Sequence, residues 1–144
     1  MAITSAVCNS FKTEVLTAVH NFTASSGNTF NLALYTSSAS LGAATTAYTT
    51  SNEVANGNGY TTKGNALTSV TPVADSTTAV CDFADTSFTS ASFTARGCMI
   101  FNDSASGDPS CVIVDFGSDK TVTSGTFTIQ FPTADASNAI IRIA

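Results

Sequence analysis

The stretch NEVANGNGYTTKGNALTSV, Asn52 to Val70, gathers three glycines, a lysine and several hydroxyls, the parts of a phosphate-cradling loop. Such a loop works when it follows a buried strand and opens a helix whose N-terminal amides point at the anion. Here a polar run precedes GNGYTTKGN and a strand-like ALTSV follows it, so the phosphate reading fails. The glycines instead permit positive φ in tight turns, with Tyr60 as the anchor that packs the loop down. FGSDKT, Phe116 to Thr121, fails the same test because no helical pattern follows it.

Nucleophilic catalysis needs a serine, threonine or cysteine with a base in hydrogen-bond reach. His20 is the single histidine, and it falls at the end of an expected helix, where a cation complements the dipole. Asp82, Asp85, Asp103, Asp108, Asp115 and Asp119 supply carboxylates, but a glycosidase pair needs a cleft with aromatic platforms, and the chain has no tryptophan. Most of these aspartates stand beside Gly, Ser or Thr at strand ends, where Asp makes turns. NDSASGD, Asn102 to Asp108, lacks the spacing and closing Glu of an EF-hand. Cys8, Cys81, Cys98 and Cys111 lie far apart with no C-x-x-C pair, so zinc spacing is absent. Their apolar contexts read as buried free thiols, with a Cys81–Cys98 cross-strand pair as the alternative. The expectation is no catalytic residue, no metal and no cofactor. Arg96 and Arg142 each interrupt an apolar strand run, FTARGCMIF and IIRIA. Each points either to solvent or into a subunit interface, where it would anchor a partner carboxylate.

The elements that must position these residues follow from composition. The chain has 144 residues, the size of one domain with a sizeable core, and 10% are charged against 43% hydrophobic. That balance sets aside charge-driven disorder, and the abundance of Thr, Ser, Asn and Gly favours an all-β domain with many turns. A net charge of −5 with five Lys plus Arg cannot neutralise a run of phosphates, so nucleic acid and anionic membrane are not expected partners. No segment has the ~20 apolar residues of a bilayer span, and the start lacks a signal-peptide pattern, so the expected place of synthesis is a cytoplasm.

Ile3, Val7, Phe11, Val15, Leu16 and Val19 recur at three- and four-residue steps, which predicts a helix from Thr4 to His20 within an N-terminal unit of residues 1–22, capped by Thr4 or Ser5. Phe30, Leu32 and Leu34 alternate with Asn31, Ala33 and Tyr35 as a half-buried strand. The long polar segment 37–65 reads as a contact loop. Strands are expected at Ala66–Val73, Thr78–Phe83, Ser92–Phe101, Cys111–Gly117, Gly125–Phe131 and Ala139–Ile143, separated by turn signals that include NDSASGDPS and GSDKTVTSG. Seven strands at such spacing predict one antiparallel β-sandwich or jelly-roll-like domain over residues 1–144.

Three stretches, NEVANGNGY, FTARG and DFGSDKTVTSGTFTI, resemble a family of small structural proteins of tailed bacteriophages, and the resemblance spans nearly the whole chain. It implies a non-enzymatic virion component, a head decoration or cement protein on the capsid surface. The implied partners are the major capsid protein and further copies of the chain, as a homotrimer. Asn56, Gly57, Asn58, Gly59, Tyr60, Arg96 and Arg142 are the candidate partner-binding residues. A tail or fibre module, with exposed aromatics at loop tips, is the alternative; a carbohydrate-binding domain or hydrolase is the third.

Overall fold

A computed structural model describes residues 2–144; Met1, part of the expected N-terminal unit, lies outside the described residues. The order is β1 (Ala6–Val7), α1 (Asn9–Leu16), β2 (Phe30–Tyr35), β3 (Asn65–Ala66), β4 (Ser69–Asp75), β5 (Thr78–Phe83), β6 (Thr86–Asn102), β7 (Ser110–Ile129) and β8 (Ile141–Ile143). One sheet runs β1-β7-β6-β2-β3 and the other β4-β5-β8, with every paired strand antiparallel. The protein is thus mainly β, two antiparallel sheets with one short N-terminal helix, and a β-sandwich describes it. No helix among the described residues is long and apolar enough to cross a membrane.

The helix is shorter than its periodicity predicts. Ala6 and Val7 pair with Ile113 and Val112 as strand β1, and Cys8, not Thr4 or Ser5, stands at the N-cap without a side-chain bond. The Ser5 hydroxyl instead accepts from the Asp115 amide, 2.8 Å. At the other end Ala18 turns left-handed, φ +61, and the Val19 amide closes back on the Glu14 carbonyl, 3.0 Å. A four-residue apolar step fits a helix and equally an even-numbered strand offset, and pairing with β7 decides the matter for Val7.

Strand β2 is buried on all six residues rather than half-buried. One face meets the second sheet and its approach, where Phe22 stacks on Phe30 at 4.2 Å and Phe83 lies 5.9 Å from Phe30. The other face lies under the segment 36–65, where the Tyr35 hydroxyl donates to the Thr49 carbonyl, 2.7 Å.

Residues Cys111–Gly117 and Gly125–Phe131, expected as two strands around a turn, are one strand, β7. Between Gly97↔Asp115 and Ala95↔Lys120 the β7 side advances five residues against two on β6. Gly117, at φ +79, bends within this bulge, so the turn chemistry is real but bulges the strand instead of reversing it. NDSASGDPS does form the β6–β7 turn, with Gly107 at φ +83 and Asp108 at φ +49. All four cysteines are free and buried; Cys81 and Cys98 sit on different sheets.

Candidate functional site: the pinned segment and the buried histidine

The segment between β2 and β3 does not float. Its Glu53 forms a bridge with Tyr35, and the Val54 amide donates to the Leu34 carbonyl, 2.9 Å. The Leu34 amide donates to the Tyr60 hydroxyl, 3.0 Å. Both backbone groups of Leu34 are thereby satisfied on the strand's outer edge. Tyr60 is 2% exposed, so the sequence reading of it as an anchor holds, and its side chain is not on the surface. Further along, the Ser92 amide donates to the Asn58 carbonyl, 2.9 Å. A Cβ on Gly59 would stand 2.7 Å from the Ala91 Cα. The segment therefore covers the outer edge of β2 and of the distal half of β6, a standard way of blocking edge pairing. The segment is pinned to the sheet rather than loose, and its exposed residues include the tip Ala55, Asn56, Gly57, Asn58 and Gly59, with the Asn56 side chain accepting from the Thr62 amide, 3.2 Å.

The pin is Glu53. Its Oε2 accepts from the Tyr48 hydroxyl at 2.6 Å, and its Oε1 from the Tyr60 hydroxyl at 2.6 Å and the Lys63 amide at 2.7 Å. Burial first, and then Glu53, push both phenols above the ordinary tyrosine range. Lys63, left-handed at φ +75, reaches Asp103 at 2.6 Å and Asp108 at 2.8 Å, which holds its ammonium above the usual lysine range. The two carboxylates of NDSASGD thus serve an ion pair that ties the segment to the β6–β7 turn. The pair shares its site with the rings of Tyr48 and Phe101, 5.5 and 5.8 Å from the ammonium.

Arg96 and Arg142 part company. Arg96 Nε donates to Asp115 at 2.8 Å, and this partner lowers the Asp115 carboxyl below its ordinary range. Among the described residues Arg142 has no carboxylate within ion-pair distance; its Nη1 donates to the Ala136 and Ser137 carbonyls, 3.2 and 2.6 Å.

His20 corrects the sequence reading most. It is not at the helix end but inside, where its Nε2 meets Glu14 Oε2 at 2.8 Å and its Nδ1 lies 3.2 Å from Asn102 Nδ2 and 3.8 Å from Cys111 Sγ. Asn102 Oδ1 accepts from the Ser104 and Ala105 amides, which fixes the amide so that Nδ2 donates to the imidazole. Asn102 Nδ2 also has Asn28 Oδ1 at 3.0 Å and the Val19 carbonyl at 3.3 Å as acceptors; with Nδ1 as the acceptor, Nε2 carries the proton donated to Glu14. The order Cys111, His20, Glu14 is that of a nucleophile, base and carboxylate. Cys111 is 0% exposed, burial pushes its thiol up, and the nitrogen that would take its proton is already engaged by Asn102. The cluster ties Glu14 of α1 to the buried His20, to Asn102 of β6 and to Cys111 of β7, with Glu14 at its half-buried rim. The signal available in sequence was weak: Asn102 reads as the start of the turn segment NDSASGD, and its side chain is fully buried.

A cleft of about 620 Å³ opens on the first sheet beside the chain that follows β7; Phe116, Phe127, Phe131 and Ile140 line it. Cys98 lines it too, with its thiol pushed by burial up to about 12, too high for a thiolate at neutral pH.

No family model, no curated protein and no solved structure matches the chain.

Proposed function

We propose that the protein is a non-enzymatic virion component of tailed bacteriophages that decorates and stabilises the capsid, bound to the major capsid protein and to copies of itself as a trimer. The supporting observation is the contrast between where chemistry and contact surface sit. In the cluster of Cys111, His20 and Glu14 the thiol and the imidazole are buried in the core, with Glu14 half-buried at its rim. The exposed tip Ala55–Asn58 stands on a segment fixed by Glu53, Tyr60 and Lys63, a preorganised contact that loses little entropy on docking. Several weak copies held in one ring gain avidity from effective concentration. A tail module would call for exposed aromatics at loop tips, whereas Tyr60 is buried and Tyr48 half-buried.

The test is to mix the purified protein with empty phage heads, follow co-sedimentation, and count copies in intact particles. Binding at high copy number is expected, weakened by Ala55→Glu, which adds a charge at an exposed position with no internal contact to break. A chain that never binds heads, yet appears at low copy in tails, overturns the reading in favour of the tail module.

A further inference from the structure

The cleft beside the chain that follows β7 has a closed apolar floor. Leu32 pairs with Ile100 and Cys98 with Val114, so these side chains share one face of the first sheet. All four line the cleft, and Leu32 and Ile100 are fully buried beneath it. Phe116 and Phe127 form one wall, 6.2 Å apart between ring centroids; both belong to β7, which bends at the bulge around Gly117. Phe131 and Ile140 form the other wall. That wall is anchored in turn, since the Phe131 amide donates to Asp85 Oδ1 at 2.8 Å and its ring lies 5.6 Å from Phe83. The wall residues are half-buried, and the volume of about 620 Å³ is that of a small-molecule site rather than a packing gap.

Asp115 and Lys120 are the charged groups of the lining, and they differ in what they already hold. Asp115 Oδ1 accepts from Arg96 Nε at 2.8 Å and from the Gly117 amide at 3.0 Å, so its charge is compensated. The neighbouring Asp119 also helps to hold Arg96 charged. Lys120 donates to the Ser118 hydroxyl at 3.0 Å, and among the described residues it has no carboxylate within ion-pair distance. The cleft therefore offers an apolar interior with one uncompensated cation on its lining.

We propose that this cleft binds a small amphiphile, an aliphatic chain ending in one carboxylate. The chain lies over the floor between Phe116, Phe127 and Phe131, and the carboxylate meets the Lys120 ammonium at the exposed end. Removal of the chain from water supplies the affinity, and the cation supplies the preference for an acid over an amine or an alcohol of the same length. A closed floor between two walls suits a molecule that enters end-on or edge-on rather than a broad partner surface. The inference is independent of the phage reading, since it concerns a different face of the chain from the tip Ala55–Asn58.

The experiment titrates the full chain with decanoate below its micellar concentration, by calorimetry, with decylamine and decanol as matched probes. Decanoate is expected to saturate one site and to bind about tenfold more tightly than decylamine, as attraction at one exposed cation replaces repulsion. Lys120→Gln, at an exposed position, should weaken decanoate about threefold and leave decanol unchanged, and added salt should narrow the acid's advantage. Phe116→Ala should weaken decanoate and decanol alike, with a melting curve to show that the variant is folded. Methyl resonances of Val114, Ile129 and Ile140 should shift on titration, which locates the ligand even if the Phe116 variant fails to fold. Absence of saturable binding, equal binding of the amine, or indifference of decanoate to Lys120→Gln overturns the proposal. So do methyl shifts confined to Leu16 and Ile143, which lie on a separate groove beside α1, or tighter binding of phospholipid vesicles than of monomeric decanoate.

Discussion

Replacing Glu53 by alanine tests whether the segment 36–65 is pinned or merely folded over the sheet. The carboxylate accepts from the Tyr48 and Tyr60 hydroxyls and from the Lys63 amide. A hydrogen bond to a charged group contributes ~1.5–3 kcal/mol, and more is lost where the partner stays buried without an acceptor. Tyr60 is in that position, being 2% exposed. Tyr48 and Lys63 are half-buried, so water replaces part of their loss. The sum is about 3–4 kcal/mol, a large share of the ~5–15 kcal/mol that holds a domain folded. With a urea dependence of ~2 kcal/mol per molar, the unfolding midpoint should fall by about 1.5–2 M. Tyr60→Phe removes the other end of the same bond, so the double variant should lose clearly less than the two singles together. A midpoint shift below about 0.5 M for Glu53→Ala, or strict additivity with Tyr60→Phe, would refute the pin.

Tyr48 and Tyr60 are held protonated above the ordinary tyrosine range, by burial and then by Glu53. Their contribution is complete below the unfolded tyrosine pKa of ~10 and is lost as pH rises beyond it, so phenolate absorbance should appear together with loss of the β circular dichroism signal; phenolate formed in an intact fold would count against this. Gly59→Ala should cost ~2–3 kcal/mol, because its added Cβ meets the backbone of Ser90 and Ala91 at 2.7 Å and φ is +84, whereas Gly57→Ala, with open space around it, should cost only ~1 kcal/mol by urea melts. Phe11→Ala should cost ~3 kcal/mol, given its burial against His20 at 4.9 Å between ring centroids. His20→Gln should cost ~1–3 kcal/mol by the same melts, because no glutamine rotamer serves Glu14 and Asn102 together; a neutral result would show that the tie is idle.

Local chemistry was legible in the sequence, and long-range pairing was not. Strand β5 and the β6–β7 turn fall where alternation and turn residues put them, and the thiols are buried as their apolar neighbours imply. Tyr60 was readable as an anchor because an aromatic among glycines has little else to do in a packed loop. Ala6 and Val7 were misread because two residues of strand leave no period to detect. The β7 bulge was misread because Gly117 serves a bulge and a turn with the same positive φ. The His20 tie was invisible: Asn102 stands 82 residues away from it and Cys111 91 residues away, and single-sequence periodicity carries no information at that range.

Edge control explains why the long segment exists. A sandwich with hairpin strands as long as β6 and β7 exposes unpaired backbone along both sides, and a chain with 10% charged residues has few lysines with which to repel a second strand. The segment 36–65 solves this on one side by packing its own backbone there, with Asn58, Val54 and Tyr60 in the roles of a missing neighbour strand. On the other side, bulges and the N-terminal strand β1 do the same work at Val112 and Ile113. The second sheet ends in β4 and β8, each paired with β5 alone; β4 carries a bulge between Val70 and Val73 and a proline, Pro72, within its run, both of which interrupt an edge.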